Sequence, residues 1–184
     1  MNREDWQRYH AANRPPWVPY DALLAEELTR VAPGSALEVA CGEGSDALHL
    51  ASLGFDVLAV DLAPAAVQIT AERAANAGLA IRTRDADVTA LRLHEHFDFI
   101  YMGFLTLPQA GRRDALQSLI KHLEPGGVFL YIGFEEAGQP EEISVLLDSC
   151  DIERSETVSR VISMPNEEDF EAECVIVRAR RGEH

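Results

Sequence analysis

Residues 36–51, Ala-Leu-Glu-Val-Ala-Cys-Gly-Glu-Gly-Ser-Asp-Ala-Leu-His-Leu-Ala, constrain the fold more than any other stretch of this 184-residue chain. Leu37 and Val39 suit one face of a short buried strand. Gly42 and Gly44 permit a tight turn in backbone conformations that a Cβ disfavours, and Leu48, Leu50 and Leu53 resume at helical spacing until Gly54. A strand that ends in a glycine turn and opens a helix presents backbone N–H groups and the positive end of a helix dipole to an approaching ligand. That geometry suits an anionic or nucleoside-bearing cofactor.

The same alternation repeats along the chain. Asp56 to Asp61 reads as a second strand, apolar through its middle and ending in an exposed carboxylate, and Pro64 opens a helix that runs to about Asn76 and stops at Gly78. Ile81 to Arg84 is a short third strand, followed by the acidic connection from Asp85 to Leu91, and Phe97 to Met102 is a fourth. A helix from about Arg112 to Leu123 buries Leu116, Leu119, Ile120 and Leu123, and Pro125-Gly126-Gly127 breaks it before a fifth strand at Val128 to Gly133. Glu141 to Ser149 reads as a helix with Ile143, Leu146, Leu147 and Cys150 on its apolar side. Two strands near Ile152 to Met164 and Phe170 to Arg180, joined by Pro165-Asn166, read as an antiparallel hairpin.

Strands alternating with helices predict a single α/β domain, a doubly wound, mostly parallel, seven-stranded Rossmann-like sheet with a C-terminal antiparallel hairpin. In such a sheet the ligand lies outside the carboxyl ends of the strands, where Ala40, Cys41, Gly42, Asp61, Asp87 and Met102 to Phe104 are expected to converge. Before the first strand, Asp21 caps a helix from Ala22 carrying Leu23, Leu24, Leu28 and Val31. Residues 1–20, with Trp6, Tyr9, Trp17 and Tyr20 and three stiffening prolines, read as an aromatic strap or lid.

Charge and cysteine content narrow the function. Asp and Glu outnumber Lys and Arg by 31 to 16, a net charge of −15, which repels a phosphate backbone and argues against DNA or RNA as substrate. No apolar run approaches the length of a membrane span, and the N-terminus has no secretory pattern, so a cytoplasmic location is expected. Three widely spaced cysteines with no C-x-x-C argue against a disulfide framework or a structural zinc site, and Cys150 and Cys174 read as small core residues. His94-x-His96 lacks a third ligand, so no metal is expected, and His10, His49 and His122 read as surface residues.

The order of these motifs resembles the class I S-adenosylmethionine-dependent methyltransferases over about residues 36–180. The resemblance rests on Glu38-Val-Ala-Cys-Gly-Glu-Gly44, Asp61, Asp87-Val88, Leu123-Glu-Pro-Gly-Gly127 and the closing hairpin. Within that family the Trp/Pro-rich start and the Cys-Gly-Glu-Gly-Ser-Asp-Ala-Leu-His-Leu-Ala run look most like the small tellurite-resistance and thiopurine-type methyltransferases.

The resemblance implies S-adenosyl-L-methionine as cofactor. Glu38 would lie near its methionine amino group, the backbone of Ala40, Cys41 and Gly42 under the methionine and ribose, and Asp61, followed by Leu62, on the ribose hydroxyls. Asp87 would meet the adenine amine, with the Val88 N–H on a ring nitrogen, while Met102 and Trp17 complete the contacts, Trp17 through its ring face toward the sulfonium. Asp85 is a rival to Asp87, read as solvated. The family commonly has glycine where this chain has Ala40.

A small-molecule acceptor is expected, a thiol or chalcogen oxyanion that arrives already nucleophilic, so no catalytic base is named among Tyr101, His10 and Glu135. The acceptor would contact the N-terminal strap and the loops at Gly103 to Gly111 and Glu135 to Pro140. Two alternatives stand beside this reading. Gly42-x-Gly44-x-x-Ala47 with Asp61 also satisfies a relaxed dinucleotide fingerprint, which would make the chain a nicotinamide-dependent oxidoreductase. The third is a non-catalytic module that binds S-adenosylmethionine.

Overall fold

The computed structural model describes residues 2–12, 20–162 and 168–183. Backbone packing divides the chain into two compact units, residues 1–88 and 89–184.

The first unit opens with α1 (Arg3–Ala11), a helix within the stretch read as an aromatic strap or lid. A capping box starts it: the Asn2 side chain accepts from the Asp5 N–H at 3.0 Å, and the Asp5 carboxylate takes the Asn2 N–H at 2.9 Å. That Asn-x-x-Asp spacing was present in the sequence. Trp17 and the three prolines of the strap lie outside the described residues. Helix α2 (Ala22–Leu28) is capped by Asp21, as its sequence predicts.

Strand β1 (Ser35–Val39), helix α3 (Ser45–Ser52), strand β2 (Asp56–Asp61), helix α4 (Pro64–Ala77) and strand β3 (Ile81–Asp85) follow in strict alternation. The three strands are parallel in the order β3-β2-β1, with Leu37 opposite Leu58 and Asp61 opposite Asp85. Buried on both faces, β2 is apolar from Val57 to Val60. Gly78 ends α4 in the left-handed conformation, a φ of 68° that only glycine adopts without cost.

The second unit contains β4 (Phe97–Gly103), α5 (Gln109–Ile120), β5 (Leu123–Phe134), α6 (Pro140–Leu146), β6 (Cys150–Ile162) and β7 (Phe170–Arg181). Its strand order is β4-β5-β7-β6, with β4 and β5 parallel and β7 antiparallel to both its neighbours. The doubly wound class, mostly parallel with an antiparallel C-terminal hairpin, is therefore the one observed. The hairpin turn at Pro165-Asn166 lies outside the described residues.

Three boundaries differ from the sequence reading. Helix α5 begins a turn earlier, because Pro108 is extended (φ −53°, ψ 152°) and serves as its N-cap. Leu123 leaves the helix for β5, where it pairs with Phe97; the next pair is Phe99 with Val128, so Glu124 to Gly127 bulge out of the ladder rather than preceding it. Helix α6 stops at Leu146, and Cys150 starts β6 half-buried instead of completing a helical core, whereas Cys174 is fully buried as expected.

Candidate cofactor site

In the first unit, strand β1 carries a carboxylate through its interior. Glu38 is 3% exposed, and its Oε2 has no hydrogen-bond partner among the described residues. Burial first, then the charges of Asp46 and Asp61, raise its pKa well above the ordinary carboxylate range. A buried carboxylate with one unpartnered oxygen beside two other acids is costly, and an arriving cation would offset that cost.

Past β1 the backbone adopts positive φ at Ala40 (58°), Gly42 (51°) and Gly44 (79°). Ala40 thus occupies a left-handed position that explains why glycine is common there in the family it resembles. At Gly44 a Cβ would lie 2.5 Å from Thr70 Cγ2, so the glycine also lets α4 pack against the turn. Thr70 Oγ1 donates to the Gly42 carbonyl at 3.1 Å, and the Arg73 guanidinium donates to the Glu43 carbonyl and, at 3.2 Å, to Ser45 Oγ. Cys41 is buried, and its thiol pKa is pushed up by burial and then by Glu38 and Asp61, so it contributes backbone rather than a thiolate.

Asp61 corrects the expectation of an exposed carboxylate, being 8% exposed. Its Oδ2 accepts from the Gly42 N–H and its Oδ1 from the Ala63 N–H, both at 2.9 Å. The carboxylate therefore holds the glycine turn in place, and each oxygen retains one further acceptor position. Leu62 beside it is half-buried. Asp85 is exposed and paired with Arg3 of α1, Asp87 is exposed, and Val88, 9% exposed, opens a 3₁₀ turn.

His10 and His122 are each only 9% exposed, contrary to the surface positions predicted, while His49 is half-buried and stacked on Tyr20 at 3.7 Å. Nδ1 of His10 lies 3.3 Å from Glu43 Oε1, and Trp6 stacks on its ring at 5.9 Å. With Gln7 Oε1 accepting from the Ala65 N–H at 2.9 Å, these contacts fasten α1 to the glycine turn and to α4. Sequence reasoning missed this clamp because nothing local marks His10 as buried.

In the second unit Met102 and Tyr101 are fully buried in β4, and the Tyr101 ring folds over Gly103, whose Cβ position it would occupy. Glu135 is half-buried, at the start of a 3₁₀ turn after β5. Among the described residues no three His, Cys, Asp or Glu side chains cluster at metal-binding geometry, and no helix is long and apolar enough to cross a membrane.

Comparison with known proteins bears on this site. A family model described as a methyltransferase domain matches residues 36–127, half the chain and the whole of the strand-turn-helix unit. Over 114 residues the chain is 38% identical to hemagglutinin 1 of Eikenella corrodens, covering 60% of this chain and 38% of that one. It is 31% identical over 139 residues to the 2-heptyl-1-hydroxyquinolin-4(1H)-one methyltransferase of Mycobacteroides abscessus, covering 72% and 61%. The chain thus spans less than two thirds of either relative's length.

Among solved structures, one described for conversion of a disulfide bond into a thioacetal group during echinomycin biosynthesis superposes with a TM-score of 0.84 at 24% identity, covering 99% of this chain and 94% of the other. TehB from Haemophilus influenzae superposes at 0.75 and 17% identity, covering 97% and 66%. These two establish the fold. The chain belongs to the methyltransferase-domain family, in its class I form, whose cofactor is S-adenosylmethionine.

Proposed function

We propose that the protein transfers a methyl group from S-adenosylmethionine to a small-molecule acceptor with a soft nucleophile, a thiol or a chalcogen oxyanion. The observation that carries the cofactor half is Glu38, a buried carboxylate with an orphaned oxygen at the end of β1, which suits an ammonium group. Gly42 is not crowded either: the nearest atom among the described residues to a Cβ built there is His10 Cε1, at an ordinary contact distance of 3.8 Å. In this reading Ala40, Cys41 and Gly42 carry the methionine and ribose on backbone. The remaining acceptor positions of Asp61, with Leu62 beside it, take the ribose hydroxyls; Asp87 and Val88 take the adenine; Met102 and Trp17 close the site.

When bound, S-adenosylmethionine supplies a sulfonium methyl that a nucleophile takes in line as the C–S bond breaks, its electron pair remaining on the departing sulfur. The chain's own part is alignment and exclusion of water, and an acceptor that is already nucleophilic leaves a base unnecessary. A net charge of −15 favours a small acceptor over a nucleic acid.

Isothermal titration with S-adenosylmethionine, S-adenosylhomocysteine and NADH, repeated on Asp61→Ala, tests the cofactor assignment. Micromolar binding of the first two, weakened by the substitution, is expected. Binding of NADH alone would overturn it. Because Asp61 also holds two backbone N–H groups, a melting curve of the variant accompanies the titration.

A further inference from the structure

Strand β6 ends the sheet. Its inner side pairs with β7 from Cys150 to Ile162, and among the described residues no strand pairs with its outer side. The ladder with β7 shifts register between Ile152 and Arg154, which leaves Glu153 as a bulge and Arg154–Ile162 as an unbroken edge of nine residues, about 30 Å long. A regular edge of that length presents a row of outward N–H and C=O groups and is a template for another strand. Bulges and charged side chains guard such edges against indiscriminate pairing, and β6 has both. The positions of its charges nevertheless admit one partner.

Side chains on the regular stretch alternate between two faces. Ser155 Oγ lies 2.9 Å from Ser144 Oγ of α6, so Ser155, Thr157, Ser159 and Val161 share the α6 side, and Arg154, Glu156, Val158, Arg160 and Ile162 the other. A second copy of β6 can run antiparallel to the first about a two-fold axis perpendicular to the sheet. Such an axis keeps like faces together, so it passes through a residue of the strand rather than between two. An axis at Glu156 or Arg160 sets a charge on its own copy, and there or nearer either end it pairs five residues or fewer. At Thr157 it sets Arg154 against Arg160, and at Ser159 it leaves Glu156 opposite Ile162 over seven residues. At Val158 all nine residues pair: Glu156 meets Arg160 twice, Ser155 meets Val161 and Thr157 meets Ser159.

The two ends of the β6–β7 ribbon also differ in sign. Arg154, Arg178, Arg180 and Arg181 outnumber Asp151 and Glu153 at one end, and Glu168, Asp169, Glu171 and Glu173 outnumber Arg160 at the other. Antiparallel pairing lays each basic end beside the acidic end of the second copy, which offsets the repulsion between two chains of net charge −15.

We infer that β6 is a homodimer interface: a second copy of this chain adds its β6 antiparallel about a two-fold axis at Val158, joining two sheets edge to edge. Glu156, which already accepts from Arg154 Nε at 2.6 Å, then lies between that arginine and Arg160 of the second copy. Val161, 56% exposed in the single chain, is covered by the strand that carries Ser155 of the second copy. Opposite charges directly across a ladder are favourable and like charges unfavourable, so the pattern that admits a second copy also rejects slipped registers. The inference is independent of the methyl-transfer reading.

Sedimentation equilibrium across micromolar concentrations, in reducing buffer and with a melting curve for each variant, tests it. The wild type is expected to reach twice the mass of the chain. Arg160→Glu sets like charges against Glu156 twice and should weaken the dimer about tenfold. Glu156→Arg should do the same against Arg160, and the two substitutions together should restore most of the affinity, because the pairs re-form with their signs exchanged. Val158→Cys should give a covalent dimer on oxidation, its two Cα atoms lying about 4.5–5.5 Å apart, whereas Ser155→Cys and the wild type should not. A monomer throughout overturns the inference. So does a dimer whose affinity is unchanged in folded Arg160→Glu, or one that crosslinks through Ser155→Cys and not through Val158→Cys.

Discussion

Replacing Glu38 by glutamine should move stability and cofactor affinity in opposite directions. The side chain keeps its shape but loses its charge, at a site 3% exposed where one carboxylate oxygen has no partner. In the ligand-free protein the substitution removes a buried ionisable group with one unpartnered oxygen, whose desolvation penalty is about 1–3 kcal/mol. For a chain of this size each kcal/mol corresponds to roughly 2–4 °C, so the melting temperature should rise by roughly 2–12 °C. In the complex it removes a charge-assisted hydrogen bond to an ammonium, about 1.5–3 kcal/mol, so S-adenosylhomocysteine should bind about tenfold to a hundredfold more weakly.

The assays are thermal denaturation and isothermal titration, with 5′-methylthioadenosine, which lacks the amino-acid portion, as a control bound equally by both proteins. The pH dependence supplies a further sign. The Glu38 pKa is raised in the fold, so its contribution to ligand-free stability is fully present below the unfolded value near 4.5 and is lost as pH rises through the folded value. An ammonium beside it favours the carboxylate, so binding should release a proton, visible as a dependence of binding enthalpy on buffer ionisation. A glutamine variant that is less stable without ligand and binds S-adenosylhomocysteine as tightly as the wild type would refute this account of Glu38.

Ala40→Gly should stabilise the protein by about 0.5–1 kcal/mol in urea denaturation, because it relieves a left-handed alanine at φ 58° at the cost of some unfolded-state entropy. Gly44→Ala should cost at least about 2 kcal/mol, since its φ of 79° and the 2.5 Å approach to Thr70 Cγ2 both oppose a Cβ; a melting temperature within a degree of wild type would count against the described turn. Glu153 accepts from Arg178 at 2.8 Å and Arg180 at 2.6 Å. Burial raises its pKa, but Arg180 and then Arg178 outweigh it, so the net shift is downward and its contribution is present above about pH 4.5 and lost as pH falls. Because the network is largely solvent-facing, Glu153→Gln should cost only about 0.5–1 kcal/mol at pH 7 and less at acid pH, checked by denaturation at both.

The parts of the fold that were legible in the sequence are those fixed by local chemistry. Strand β2 was read to the residue, since an unbroken apolar run between Asp56 and Asp61 suits a strand covered on both faces. The end of α4 was read from Gly78 and its start from Pro64. The boundaries that moved had competing local signals: Pro-Gly-Gly looks like a helix stop, yet pairing between Phe97 and Leu123 draws the preceding residue into β5 and leaves those residues as a bulge. Helix α1 was missed although its capping box was present, because Trp6 and Tyr9 share a strap-like composition with the proline-rich residues that follow and the helix is only nine residues long.

By itself the sequence determined the alternation of strands and helices, the positive-φ turn at Gly42 and Gly44 and the presence of an acid inside β1, because backbone preference and hydrophobic period act over a few residues. Only the tertiary structure decided which polar groups lose their water. It left Glu38 with an orphaned oxygen, turned Asp61 inward to hold the glycine turn, covered His10 and set Arg112 into a cavity wall. Burial of a charge depends on what packs over it from distant parts of the chain. A charged residue near a helix start, such as Arg112, reads locally as solvated.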